Sequence, residues 1–270
     1  MALPLTQFFI DTLRAPYEEL LHTPAAERLS GNFRWDGDEI HSDQIIDLQS
    51  DEVLGMQEIG AADLAQLLMV FDGSRLHEQA QRDFGDDDSP PGLYFTYRNT
   101  ELVWEGHKNR IGVYRRSENE TSIFLASPET DDEMEERLNE PERAVHVDHF
   151  YLHQHAPDYL GTIAFALCAI AAHRLGFSTI SLIAGGGHGY APAMIGYKYW
   201  PKLGFDAPIE LGELENAPKL QHCRTVQDVI AADSGWWEEH GTQRWMEFDL
   251  RAESPSWQKL LKYLRGKGLI

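Results

Sequence analysis

The sequence predicts an α+β protein with a mixed, mostly antiparallel sheet, helices on both faces and an N-terminal extension. Segments with the period of strands recur between residues 92 and 126. An apolar helix at 161–175 lies between two further strands, and the chain ends in an amphipathic helix. The length of 270 residues suits one large domain or two small ones, and 42% apolar residues allow a sizeable core.

The charge of the chain restricts its partners. It has 44 acidic and 23 basic residues, and the net charge of −21 repels nucleic acid and anionic membranes unless a local basic patch exists. The basic residues near the end fit the solvated face of a helix. They are Lys259, Lys262, Arg265 and Lys267. We therefore expect neither a nucleic acid nor a membrane as partner.

The start of the chain and its cysteines bear on location. Residues 1–16 lack the positively charged start of a signal peptide, and no run of roughly 18 apolar residues occurs. Cys168 and Cys223 form no CxxC motif and allow at most one disulfide, which is typical of a reducing compartment. We expect a cytoplasmic protein.

The first 84 residues predict an extension of helices and a hairpin. Asp36-Gly37 suits a tight hairpin turn, and Pro16 predicts a bend or break in the first helix. The predicted elements are a helix at 5–22, a hairpin from residue 33 and a helix at 61–82. The loop composition of residues 85–92 separates this extension from the rest.

Residues 90–252 predict the main domain, and residues 253–270 a C-terminal amphipathic helix. The predicted elements are a hairpin at 92–106 that turns near Asn99, strands at 110–116 and 121–126, an acidic segment at 129–143, a strand at 144–154, a helix at 161–175, a strand at 178–184, a helix at 225–239 and a strand at 243–250. The apolar stripe of the last helix consists of Trp257, Leu260, Leu261 and Leu264.

The strand at 144–154 carries most of the candidate polar residues. Successive side chains of a strand point to opposite faces, which gives two sets. One face carries Val145, Val147, His149, Tyr151 and His153. The other face carries His146, Asp148, Phe150, Leu152 and Gln154.

The helix at 161–175 begins shortly after this strand ends. The first N–H groups of a helix have no acceptor within it, and its dipole attracts anions, phosphates above all, to this end. Gly176 suits the residue that ends the helix, and His173 and Arg174 favour the negative end of its dipole. The order therefore predicts an anion site at the end of a strand.

Strand, loop, buried helix, strand and the aromatic-rich turn that ends in Gly204-Phe205 together resemble the acyl-CoA-binding core of the Gcn5-related N-acetyltransferase (GNAT) family. In that family, one strand splays from its neighbour, the pantetheine arm inserts between them, and the loop before the helix donates N–H groups to the pyrophosphate. The resemblance spans residues 144–206 and implies acetyl-CoA or another acyl-CoA as co-substrate. It places at that cofactor Leu152, His153, Gln154, His155, Tyr159, Leu160, Gly161 and Thr162.

The resemblance also implies a catalytic base on the strand at 144–154. Asp148, His149, His146 and His153 compete for this role. A histidine has an unperturbed pKa of about 6.5, which suits a base. Asp148 would need a pKa raised by burial.

A proton donor for the leaving thiolate is expected near the aromatic turn. Trp200 stands where the family commonly has a tyrosine, and tryptophan cannot act as an acid. Its neighbours Tyr197 and Tyr199 can supply the proton instead. The alternative is that both tyrosines pack in an aromatic cluster with Trp200 and Phe205.

Two other kinds of site have weaker support. His149, His153 and His155 would lie on one strand face at a spacing that suits zinc, but no cysteine supports a metal site, and we expect none. The glycine cluster at 185–189 partly matches a dinucleotide fingerprint, but its third spacing is wrong. A flexible loop beside the acyl site is the preferred interpretation.

Two functions from different classes are consistent with these patterns. The first is a CoA-dependent N-acyltransferase whose acidic surface attracts a cationic small molecule, a basic peptide or a basic protein as acceptor. The second is a catalytically degenerate GNAT-like module that binds a basic partner without acyl transfer. Binding of acetyl-CoA distinguishes the two.

Overall fold

The computed structural model describes residues 3–48, 58–80, 89–116, 142–190 and 193–270, with ten strands and six α-helices in these ranges. The strands are β1 (Phe33–Trp35), β2 (Asp38–Ile40), β3 (Ile45–Asp47), β4 (Glu58–Gly60), β5 (Arg75–Ala80), β6 (Leu93–Arg98), β7 (Asn109–Arg115), β8 (Arg143–His149), β9 (Thr179–Ala184) and β10 (Arg244–Asp249). The helices are α1 (Arg14–Leu21), α2 (Ala61–Leu67), α3 (Leu160–Arg174), α4 (Gly196–Tyr199), α5 (Val226–His240) and α6 (Pro255–Gly266).

Eight strands form one sheet in the order β10-β9-β8-β7-β6-β5-β1-β2, and β3 pairs with β4. The pairs β8–β9 and β1–β5 are parallel, and the other pairs are antiparallel. The predicted α+β class with a mixed, mostly antiparallel sheet is therefore confirmed. Strands β1, β2 and β5, which come from the predicted extension, lie in the same sheet as the strands of the predicted main domain.

The core of the described residues lies on one face of this sheet, where α3 packs. Apolar side chains of the strands point towards α3, among them Leu76, Phe95, Ile111, Val147 and Ile180. Helices α1 and α2 contact α3, so α3 is buried at almost every position. This explains its lack of an amphipathic pattern. We call this side of the sheet the α3 face and the other side the opposite face.

The predicted hairpin and the last helix are confirmed. Asp36 and Gly37 both have positive φ angles, 49° and 106°, between β1 and β2, as a two-residue hairpin turn requires. The apolar stripe of α6 is buried. Gly176 has a φ of 77° and ends α3, as its position predicts.

The predicted helices of the first 84 residues need correction. The first helix is irregular at a π-helical turn, Phe9–Leu13, and then continues through Pro16 as α1. A wider turn before a proline removes the need for the N–H that the proline lacks. The predicted helix at 61–82 ends at Leu67, because the backbone turns at Met69 (φ 49°) and Gly73 (φ 77°) and then forms β5.

The predicted hairpin at 92–106 is also wrong. β6 pairs with β7, not with residues 101–105. The Asn99 side chain accepts hydrogen bonds from the N–H groups of Glu101 (3.0 Å) and Leu102 (2.9 Å), which folds the connection into a turn. Leu102 and Val103 are buried, so their apolar character serves packing. The predicted strand at 121–126 and most of the acidic segment at 129–143 lie outside the described residues.

Candidate functional site

The parallel pair β8–β9 opens at one end. Its residue pairs run from Ala144–Thr179 to Val147–Leu182 and stop there. β8 continues beside β7 to His149, whereas β9 continues beside β10 to Ala184. The two strands therefore diverge at the same end of the sheet at which α3 begins.

The first turn of α3 presents amide groups at this opening. Tyr159 precedes the helix in the left-handed conformation (φ 60°), and its side chain is exposed. Leu160 donates its N–H to the Pro157 carbonyl (3.1 Å). The N–H groups of Gly161 and Thr162 have no acceptor in the part of the chain that the structure describes. Such groups can bind an anion.

The space beside Gly161 is narrow. A Cβ atom built there would lie 3.0 Å from Leu152 Cδ1 and 3.3 Å from the Tyr199 hydroxyl. The side chains of Asp158 and Tyr159 are exposed and do not fill this space. The loop after β8 and the helix α4 thus meet α3 at its first turn.

The loop residues predicted to contact a cofactor use part of their main chain internally. His153 donates its N–H to the Leu102 carbonyl (2.8 Å), and His155 donates its N–H to His153 Nδ1 (3.2 Å). The Gln154 and His155 side chains are exposed. The N–H groups of His153 and His155 are therefore not available to an extended ligand.

The two candidate tyrosines occupy different environments. Tyr199 lies with its hydroxyl 3.1 Å from Thr162 Oγ1, at the start of α3, and burial raises its pKa to about 12. Tyr197 donates its hydroxyl to the Glu238 carbonyl (3.0 Å), and its own carbonyl accepts from Trp237 Nε1 (2.9 Å). Tyr197 therefore anchors α4 to α5, and only Tyr199 reaches the opening.

Trp200 belongs to an aromatic cluster under this site. Its ring lies 5.7 Å from Phe165 of α3, 5.3 Å from Phe205 and 5.2 Å from Tyr199, measured between ring centroids. The predicted packing of Trp200 with Phe205 is present. The Tyr199 ring joins the same cluster, although its hydroxyl points to Thr162.

A β-bulge places Asp148 and His149. Arg110 pairs with His149 and Ile111 with Val147, so Asp148 is an extra residue in β8. The predicted strict alternation is therefore wrong beyond Val147. Phe150 and Leu152, predicted on the face of Asp148, pack against the core. His149, predicted on the face of Val147, lines a groove on the opposite face.

Asp148 is held as an anion. Its Oδ2 lies 2.9 Å from Arg110 Nη1 and 3.1 Å from His149 Nδ1, and its Oδ1 accepts from the Ser89 hydroxyl (2.9 Å). Burial alone would raise the pKa of this carboxyl, but the contacts with His149, Ser89 and Arg110 lower it to about 2. The raised pKa that a catalytic Asp148 would need is not found. Asp148 instead orients His149 through Nδ1 and leaves Nε2 as the acceptor.

The groove beside His149 has a volume of about 340 Å³. It is lined by Gln79, Thr96, Gly106, His107, Lys108, Arg110, His149 and Tyr151. Tyr94 supports one wall, because the Arg110 guanidinium stacks on its ring at 4.5 Å. Gly112 makes this possible, since a Cβ atom there would lie 2.4 Å from the Tyr94 ring.

The other histidines considered as a base or as metal ligands contact neighbouring side chains. His146 is buried, its Nδ1 lies 3.0 Å from Ser181 Oγ, and its ring stacks on Trp245. The rings of His153 and His155 lie 4.9 Å apart. Among the described residues, no group of three or more His, Cys, Asp or Glu side chains has the arrangement of a metal site.

Sequence reasoning did not identify Arg110, Ser89, Thr96 and Lys108 as part of a site. The pattern of residues 110–116 predicts a strand, but it does not say which strand pairs with it. The pairing of β7 with β8 brings Arg110 to Asp148.

No protein-family model, no curated protein and no solved structure matches this chain. Within the described ranges, no helix has the length and apolar composition needed to cross a membrane.

Proposed function

We propose that this protein is a CoA-dependent N-acyltransferase. The observation that carries the proposal is the opening between β8 and β9, where the parallel pairing stops after Val147–Leu182 and α3 begins. The opening brings together the Tyr199 hydroxyl, the end of β8 and two amide groups that have no acceptor among the described residues. The order of strand, buried helix and parallel strand also agrees with the GNAT-like sequence pattern.

In this proposal, the amide groups of Gly161 and Thr162 bind the pyrophosphate of acyl-CoA. The α3 dipole and the free N–H groups favour an anion there. The pantetheine arm lies in the opening beside β8. Because the His153 N–H is already bonded to Leu102, the arm uses main-chain groups that precede His153.

The chemistry assigns one role to each polar residue. His149 Nε2 takes a proton from the acceptor ammonium, and the free amine forms a bond to the thioester carbon. As the C–S bond breaks, the second proton of the attacking nitrogen passes through solvent to the thiolate, which leaves as the thiol. Asp148 is a positioning residue that fixes the imidazole tautomer. The neutral Tyr199 phenol donates a hydrogen bond to the departing thiolate. With a pKa of about 12, it keeps its proton against a thiol of ordinary acidity.

The proposal predicts acetyl-CoA binding. Calorimetric titration should give a dissociation constant in the micromolar to millimolar range, and thiol release should require an amine acceptor. A variant with Gly161→Val should lose the binding, because its side chain would collide with Leu152 and Tyr199. No binding at millimolar acetyl-CoA would contradict the proposal. That result would favour the non-catalytic module, which does not bind the cofactor.

Replacing Tyr199 with phenylalanine should lower kcat about 10²-fold, because the thiolate loses its hydrogen-bond donor. The KM for acetyl-CoA should change little, since the phenol stabilises the leaving group more than the bound substrate. Tyr197→Phe is the matched control. It also removes one tyrosine hydroxyl, but that hydroxyl bonds to the Glu238 carbonyl. Steady-state rates that fall equally in both variants would contradict the role of Tyr199.

A further inference from the structure

The opposite face of the sheet carries a row of arginines. Arg34 pairs in register with Arg75, and Arg75 pairs in register with Arg98, across β1, β5 and β6. Cross-strand partners point to the same face. Phe33, Leu76 and Tyr97, which are their chain neighbours, are buried in the core on the α3 face. The three arginines therefore all point away from α3.

Part of this positive charge has no counter-charge among the described residues. Arg34 pairs with Glu39 at 2.7 Å. Arg75, Arg98 and Lys108 are exposed and form no ion pair with any residue that the structure describes. Like charges directly opposite each other destabilise a strand pair. The pair Arg75–Arg98 is thus unfavourable unless an anion lies near it.

The groove beside His149 continues this basic surface. Arg98 follows Thr96 on the same face of β6, and Thr96 and Lys108 both line the groove. The Thr96 hydroxyl is buried and has no hydrogen-bond partner among the described residues. A ligand in the groove can satisfy it, as buried polar groups generally require.

We propose that this groove binds the anionic end of the acceptor, so that the substrate is an amine that also carries a carboxylate or a phosphate. This inference rests on the proposed acyltransferase function, because it assigns the amine end to His149. The anionic end contacts Lys108, with Arg98 beside it, and the Thr96 hydroxyl donates to the ligand.

The size and the charge of the site favour a small molecule. A groove of about 340 Å³ suits a small ligand. A nucleic acid would bring many phosphates to a chain with a net charge of −21. The net charge describes the whole chain, whereas the described residues that line the groove include the cations Lys108 and Arg110 and no Asp or Glu.

The test compares amines of similar size. Initial rates are measured with propylamine, β-alanine and phosphoethanolamine as acceptors, at saturating acetyl-CoA. We expect at least a tenfold higher kcat/KM for one of the two anionic amines, and the two arms separate a carboxylate from a phosphate. Equal or better use of propylamine would overturn the inference, although acyl transfer itself would stand.

Lys108→Ala and Arg98→Ala test the contacts. Each should raise the KM for the preferred anionic amine about tenfold, the size expected for one charge-assisted contact, and leave its kcat and the KM for propylamine unchanged. Lys219→Ala, an exposed lysine outside the groove, is the control. An unchanged KM for the anionic amine in both Lys108→Ala and Arg98→Ala would overturn the inference.

Direct titration separates the two proposals. Phosphoethanolamine and β-alanine are titrated by calorimetry without acetyl-CoA. Binding that Lys108→Ala weakens would support the groove even if acetyl-CoA fails to bind, in which case the acyltransferase proposal alone would fail. No binding of either amine at millimolar concentration, beside measurable acetyl-CoA binding, would overturn the groove and leave the acyltransferase proposal intact.

Discussion

Replacing His149 with glutamine should lower kcat for acyl transfer by at least about 10²-fold, the usual contribution of a general base. Glutamine retains hydrogen-bonding groups near Asp148 but cannot accept the proton of the acceptor ammonium. Because acyl-CoA is proposed to bind in the opening between β8 and β9, its affinity should not change. Steady-state kinetics and calorimetric titration with acetyl-CoA measure the two effects separately.

The pH profile identifies the base. Asp148, with a pKa of about 2, stays ionised throughout the neutral range and cannot produce a titration there. A change of kcat/KM across the neutral pH range therefore cannot come from Asp148, and the proposed base predicts that His149→Gln abolishes such a change. His22→Gln, at an exposed position after α1, is the control for histidine substitution. An unaltered pH profile in His149→Gln would assign the base to another group.

Glu247→Gln should cost about 3–5 kcal/mol of folding stability, because it takes from a buried guanidinium the carboxylate with which it pairs. Glu247 Oε1 lies 2.7 Å from Arg116 Nη2, and the two side chains are only 2% and 8% exposed. Arg116, which directly follows β7, also donates to Thr179 Oγ1 (3.1 Å) in β9. The buried pair therefore links β10 to its neighbour β9 and to the end of β7. Urea unfolding followed by tryptophan fluorescence measures the loss.

Glu39→Gln provides a control with the same chemistry. Its ion pair with Arg34 has the same 2.7 Å distance, but the side chains are 60% and 53% exposed. Its loss should cost at most about 1 kcal/mol. The double variant Arg116→Met/Glu247→Leu should recover most of the stability, since apolar side chains of similar volume replace the pair. Equal losses in Glu247→Gln and Glu39→Gln would show that burial does not set the cost.

The elements that the sequence predicts best have local causes. The period of the apolar residues and Gly176 define α3 and its end, and Asp36-Gly37 defines the first hairpin. The predicted helix at 61–82 was too long because its apolar stripe continues to Phe71, whereas the backbone turns at Met69. The predicted hairpin at 92–106 was wrong because Leu102 and Val103 are apolar for packing in a loop, a pattern that also occurs in strands.

The candidate site depends on contacts between distant residues. Thr162 and Tyr199 are 37 positions apart, and the pattern around each gives no indication that their hydroxyls meet. The role expected for Asp148 changed because Ser89 and Arg110 approach it from other parts of the chain. The row Arg34, Arg75 and Arg98 likewise depends on register, which the composition of each strand does not specify.

The bulge in β8 depends on a single residue. Asp148 is one residue more than the partner strand requires, and His149 points away from α3. Deletion of this single residue would restore the regular pleat and keep His149 opposite Arg110 on the same face, because Val147 and His149 would then be successive residues of the strand. An in-frame loss of this codon would therefore act on the site through the lost carboxylate, which contacts Arg110 and His149, and not through a change of face.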